Sequence, residues 1–180
     1  MINKKSRPGK YAKKTILMVG EGPTEKAFLQ YIKELFISRE ADHSVKVHSG
    51  SGGSPRSVIH KTIRLRNNSA YDKCFVLLDA DITLETDSKQ KTQMKRKPRV
   101  EILRATPCIE GLFLAILRYP NFSQNNLRSD ACKREFESKY LPRNKKTYKD
   151  SYTGVFPREM LEDRRKYIEE LDIIMNAMRL

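Results

Sequence analysis

Two apolar runs stand out along the chain, and neither alternates with polar residues. Ile16–Val19 is bounded by Lys14 and Gly20, and Cys74–Leu78 (CFVLL) runs directly into Asp79-Ala80-Asp81. Short runs without alternation predict strands covered on both faces. Gly20-Glu21-Gly22-Pro23 is turn chemistry, and Pro23 suits the first helical position, where its missing N–H would be unpaired anyway. Phe28, Tyr31, Ile32, Leu35 and Phe36 then recur at helical spacing and predict a helix reaching about Ser38. Val45–His48 reads as a second strand and Ser49–Pro55 (SGSGGSP) as a flexible turn. The helix after it shows a partial apolar face of Val58, Ile59, Ile63 and Leu65. Val100–Leu103 is a further strand, punctuated by Thr106-Pro107. Ile109–Leu117 (IEGLFLAIL), apolar nearly all round, predicts a buried helix. Ser129–Tyr140 is a weaker helix. Pro157 precedes one long final helix with a stripe of Met160, Leu161, Tyr167, Ile168, Leu171, Ile174, Met175 and Met178, read as core with a dimer seam as the rival. Strands alternating with helices predict an α/β fold: a mainly parallel, four-stranded, Rossmann-like sheet with helices on both faces and a helical C-terminal extension.

A length of 180 residues suits a single domain that needs no disulfide staples. The expected layout is a basic arm over 1–14 and one domain over 15–180, with its core in 15–117 and the extension in 118–180. The net charge of +14 points to a polyanionic partner, nucleic acid first, against the rival of an idle basic surface. The arm carries Lys4, Lys5, Arg7, Lys10, Lys13 and Lys14 and lacks the apolar stretch of a secretion signal. Lys89–Arg99 holds six basic residues and no acid, a solvated loop or helix face in which Lys95, Arg96, Lys97 and Arg99 are candidate nucleic-acid contacts. A second basic loop offers Lys145 and Lys146. Tyr140, Tyr148 and Tyr152 could stack bases there, although loop tyrosines more often pack against their own domain.

The three cysteines form no CxxC pair, which argues against both a disulfide frame and a thiolate zinc site and fits a reducing cytoplasm. His43, His48 and His60 lack ligand spacing and read as surface or loop residues. No apolar stretch approaches the roughly 20 residues of a membrane span, so no membrane partner is expected.

In open α/β sheets functional groups gather outside the carboxyl ends of the strands, where Glu21, Asp79 and Asp81 fall. Asp79 and Asp81 are two apart, so in an extended chain both leave the same face. Converging hard oxygens suit Mg²⁺ or Mn²⁺, and a bound cation relieves the repulsion among them. Glu25, four residues after Glu21, points the same way if the helix begins early enough, and could share a second ion. The rival reading is plain: Glu25 satisfies the helix dipole and Asp79 caps a turn.

A glutamate in EGxTE after one strand, followed by a DxD after another, resembles the TOPRIM domain of primases, topoisomerases and OLD-family nucleases. Within that group VGEGPTEKAFL, VLLDAD, TPCIEGLFLAIL and the basic start are similar to RloB-like proteins, small TOPRIM proteins linked to bacterial defence loci. The likeness runs from Thr15 to Leu117. Pro107, Glu110 and Leu112–Leu117 match the family's proline, acid and apolar helix loosely, while Ile109 and Gly111-Leu112-Phe113 replace its usual aromatics. The resemblance implies a TOPRIM-like fold and a cytoplasmic, Mg²⁺-dependent nuclease acting on DNA or RNA, in defence against phage. Glu21, Asp79 and Asp81 would be catalytic, Glu21 as acid, base or ligand and the aspartates as the metal pair. Glu25 would serve a second ion, and Glu110 is a further candidate ligand. Two other readings stay open: a non-catalytic module binding nucleic acid or a nucleotide, with a protein partner or a second copy of itself, and a Mg²⁺-dependent nucleotidyl or phosphoryl transferase using the same DxD.

Overall fold

The computed structural model describes residues 13–122 and 127–180. The expected basic arm, apart from Lys13 and Lys14, lies outside the described residues. Four strands, β1 (Lys14–Gly20), β2 (His43–Ser49), β3 (Lys73–Asp79) and β4 (Val100–Ala105), form one sheet in the order β2-β1-β3-β4. Every neighbouring pair is parallel. Seven α-helices follow in chain order among the described residues: α1 (Pro23–Phe36), α2 (Pro55–Asn67), α3 (Ser88–Lys95), α4 (Ile109–Arg118), α5 (Ser129–Lys139), α6 (Arg158–Arg164) and α7 (Glu169–Ala177).

The absence of alternation in β1 and β3 has the expected cause. Ile16, Met18, Phe75 and Leu77 face a core built with α1, α4 and the helices after it, while Leu17, Val19, Cys74, Val76 and Leu78 face α2. Both faces are therefore buried. The larger core holds five rings in mutual contact: Phe28 and Phe113 have centroids 4.8 Å apart, Phe113 and Tyr152 5.5 Å, and Phe113 and Phe136 5.0 Å, with Phe156 packed beside them. Each buried ring stabilises the fold by roughly 1.5–3 kcal/mol. These contacts join residues after 117 to the sheet in a single core.

Three local expectations are corrected. The final apolar stripe is not one helix but two, α6 and α7, because Ile168 is extended (φ −113°, ψ 96°). The break lets Arg165 fold back onto the end of the chain, donating to Asp172 Oδ1 (2.8 Å), Asn176 Oδ1 (2.7 Å) and the Leu180 carbonyl (3.0 Å). Its stripe is core, with Tyr167 and Ile173 left exposed. Tyr152 is no base-stacking platform: it is fully buried and its hydroxyl donates to the Lys146 carbonyl. His43 is a buried residue of β2 beside Asp42 rather than a surface side chain.

Gly111 fixes how α4 meets the end of the sheet. A Cβ there would sit 2.6 Å from both the Thr106 carbonyl oxygen and Pro107 Cδ, well inside contact distance. Ala is worth about 1 kcal/mol over Gly in a free helix, yet overpacking against backbone costs about 1–3 kcal/mol. Gly111→Ala should therefore lower stability by up to about 2 kcal/mol in urea melts. An unchanged or raised midpoint would show that the turn yields freely.

Candidate active site

The chain passes from β1 to β2 on one side of β1 and then crosses through α2 to β3 on the other. The carboxyl ends of β1 and β3 thus flank a topological switch point, where open α/β sheets place their ligand crevice. Glu21 leaves the end of β1 and its N–H donates to the Leu77 carbonyl (3.0 Å), continuing the ladder one step beyond the strand. Its carboxylate Oε2 accepts from the Asp79 N–H (3.2 Å). Residues 58 positions apart therefore meet at one point.

Asp79 is the last residue of β3 and is 7% exposed. Its Oδ1 accepts from the Ile109 N–H at the start of α4 (3.0 Å), and its Oδ2 lies 4.0 Å from Lys133 Nζ on α5. Burial, with Glu25, Glu21 and Glu110 adding repulsion and Lys133 offsetting part of it, pushes the Asp79 carboxyl up to about 8.

Asp81 lies two residues further on. The Ala80 N–H donates to the Ala105 carbonyl (2.9 Å), carrying the ladder to β4 one step past Asp79, and the N–H groups of Ala80 and Asp81 both meet the Pro107 carbonyl (3.1 Å each). The Lys133 ammonium feels both aspartates. Asp81 is exposed and accepts from the Ser129 hydroxyl at the start of α5. It lines an open pocket of about 470 Å³ with Ser129, Lys133 and Arg128.

Glu25 lies behind Glu21 rather than beside it on one helix face, because α1 begins only at Pro23. Its Oε2 accepts from the Gly22 N–H (2.6 Å), the N3-to-N-cap half of a capping box at the start of α1. Burial is the main cause raising its carboxyl above the ordinary range, outweighing the backbone hydrogen bonds that lower it. Gly20 permits this closeness, since a Cβ there would lie 2.6 Å from Glu25 Cβ.

Glu110, in the first turn of α4, is 2% exposed. One oxygen pairs with Lys146, and Oε2 is buried without a partner. Lys146 is itself buried and also meets Glu137 (2.6 Å). Desolvation would lower its pKa, but the hydrogen bonds to Glu110 and Glu137 outweigh it and hold the ammonium above its ordinary value. Lys146 is thus an internal counter-charge and not a surface contact for phosphate. Lys145 is exposed, as are Lys95, at the end of α3, and Arg96, Lys97 and Arg99 beyond it.

Among the described residues no three His, Cys, Asp or Glu side chains converge closely enough to enclose a cation. The chemistry of the donors nevertheless fits a hard divalent ion. The Glu21 carboxylate reaches the Asp79 backbone, the Asp79 anion is destabilised by burial and by three neighbouring acids, and Glu110 keeps an unpartnered buried oxygen.

A family model described as RloB-like protein matches residues 16–179. The chain belongs to the RloB-like protein family. Membership reaches far past Leu117, where the motif likeness ends, and takes in α5, α6 and α7. This RloB-like chain thus carries Lys133, Ser129 and Lys146 inside the matched stretch. Sequence reasoning gave Lys133 and Ser129 no role, since nothing in a polar helix such as SDACKREFESK marks which residue faces an acid three elements away. No curated protein and no solved structure matches the chain. No helix among the described residues is long and apolar enough to cross a membrane.

Proposed function

We propose that the protein is a divalent-metal-dependent nuclease of TOPRIM type, cutting phosphodiester bonds of DNA or RNA, with a role in defence against phage. The observation that carries the reading is the hydrogen bond from the Asp79 N–H to Glu21 Oε2. It brings together the glutamate and the first aspartate of the two motifs at the switch point of a parallel sheet. Glu21 and Asp79 would hold Mg²⁺ or Mn²⁺, with Asp81 joining on release from Ser129 and Glu110 or Glu25 lying behind. The ion would neutralise charge on the phosphoryl group and polarise its oxygens. Glu21, less buried than Asp79, is the group placed to exchange a proton with water or the leaving oxygen. Lys133 faces the same opening as Asp81 and can hold a non-bridging phosphate oxygen while its charge tempers Asp79.

Incubating the protein with Mg²⁺ or Mn²⁺ and single- and double-stranded DNA and RNA tests this. Cleavage is expected with metal and absent with EDTA, and Asp79→Ala/Asp81→Ala should abolish it. Equal cleavage by both proteins would remove the metal site. That no three His, Cys, Asp or Glu side chains among the described residues converge closely enough to enclose a cation favours one rival, a module that binds nucleic acid without cutting it. Tight binding undiminished by EDTA, with no product under any metal, would select that rival.

A further inference from the structure

On the face of the sheet opposite α1 and α4, helices α2 and α3 enclose a groove of about 720 Å³. It is large enough for one or two nucleotides by the usual scale of ligand sites. Its α2 wall presents Arg56, His60 and Arg64, a row at four-residue spacing that puts successive side chains about 6 Å apart along the helix axis. The α3 wall adds Lys89 and Arg96. One acid, Asp87, lines the groove, and it is occupied: it pairs with Arg56 and caps α3 through the Gln90 N–H (2.7 Å). Among the described residues the side chains of His60, Arg64, Lys89 and Arg96 have no carboxylate partner. Arg64, Lys89 and Arg96, three cations facing one cavity without counter-charge, repel one another unless an anion joins them.

The walls are held apart by fixed contacts. Arg66 is buried beneath them, and its Nη1 donates to the carbonyls of Gln93 (2.9 Å), Arg96 (3.2 Å) and Pro98 (3.3 Å). Gln90 Nε2 donates to the Arg56 carbonyl (2.8 Å). Gln90, also among the lining residues, is 8% exposed, and its Oε1 meets no donor. A phosphate backbone supplies the missing anion. The near end of the groove is tied to the acidic site, because Gly52, in the loop leading to Ser54 at the start of α2, donates its N–H to the Glu21 carbonyl (3.1 Å).

We infer that the α2–α3 groove binds a stretch of single-stranded nucleic acid. His60, Arg64, Lys89 and Arg96 track its phosphates, and the strand leads toward the carboxyl edge of the sheet. A row of cations along a helix suits a continuous backbone rather than one isolated phosphate. The inference stands apart from cleavage, since binding is read without metal and without turnover.

The test uses fluorescence anisotropy with labelled 12-nucleotide DNA and RNA strands in EDTA over a range of NaCl. The 180-residue chain is compared with Arg64→Gln/Arg96→Gln and with Lys46→Gln/Lys166→Gln, a control that removes equal charge from exposed positions outside the groove. Losing two phosphate contacts should lower the slope of log K against log salt by about 1.4 and weaken binding at least tenfold, while the control changes affinity less than threefold. Because the titration runs in EDTA without turnover, its failure is distinguishable from failure of the cleavage reading. Equal weakening by both doubles would reduce the effect to net charge and overturn the inference. So would full competition by mononucleotides at matched phosphate concentration, which would make the groove a nucleotide pocket, or tighter binding of duplex than of single strands.

Discussion

Lys146→Met should destabilise the chain by about 3–5 kcal/mol, the range for removing one partner of a buried ion pair. Methionine fills nearly the same length, so the loss is electrostatic rather than a cavity. Glu110 is 2% exposed, has one oxygen on the Lys146 ammonium and has nothing on the other. Without the cation it becomes a lone buried carboxylate beside Asp79 and Glu25, groups already raised by mutual repulsion and burial. Glu110→Gln in the Lys146→Met background should recover a large part of the stability, because it removes the stranded charge while keeping shape. Urea unfolding of the four proteins gives the coupling, expected above about 2 kcal/mol. Additive single effects would show that Lys146 serves mainly Glu137, whose carboxylate is the more exposed of the two partners. Because its ammonium is committed inward, Lys146 is a poor guide to where nucleic acid lies, despite its place in a basic loop.

That example marks the boundary of what the chain discloses before folding. Binary patterning disclosed β1 and β3 because burial on both faces needs unbroken apolar runs, and α1 and α4 because their periodicity is strong. Pro23 and Glu25 announced the start of α1 by local chemistry, and the Glu25 carboxylate accepts from the Gly22 N–H there. The meeting of Glu21 and Asp79 was also legible, since parallel topology forces both to one edge. Side-chain direction beyond a strand end was not. The Asp81 carboxylate meets the Ser129 hydroxyl from 48 residues further along the chain, a tertiary contact with no local signature. The same holds for Lys146, whose burial is set by Glu110, 36 residues away, and for the α2–α3 groove, which exists only once Arg66 gathers three carbonyls. The break between α6 and α7 was hidden because the apolar stripe keeps helical spacing across it, while Arg165 and the chain end decide the geometry.

Asp79→Asn is expected to act in opposite directions on catalysis and on stability. On the proposed reading it removes a ligand carboxylate, and cleavage should fall about 10³-fold, the scale of losing one preorganised electrostatic contact. The amide oxygen can still accept from the Ile109 N–H, so the fold persists. In the parent the folded state holds a proton on Asp79 up to about pH 8, whereas the unfolded chain releases it near 4. Between those values the folded state binds more protons, so stability falls as pH rises and the full penalty is present above about 8. Asparagine has nothing to titrate. In EDTA the parent should therefore lose stability from pH 5 to 9 while the variant changes less, and at pH 9 the variant should be the more stable by on the order of 3 kcal/mol. Millimolar Mg²⁺ should narrow that gap by stabilising the parent alone, since only a folded carboxylate pair gains from the ion. A parent as flat with pH as the variant would falsify the crowding of acids around Asp79. A variant that is less stable at pH 9 would mean that the charge is held by Lys133 and the Ile109 N–H more strongly than burial opposes it. If both predictions hold, a group that weakens the empty fold is the one the reaction requires, the signature of a site kept under strain for its ligand.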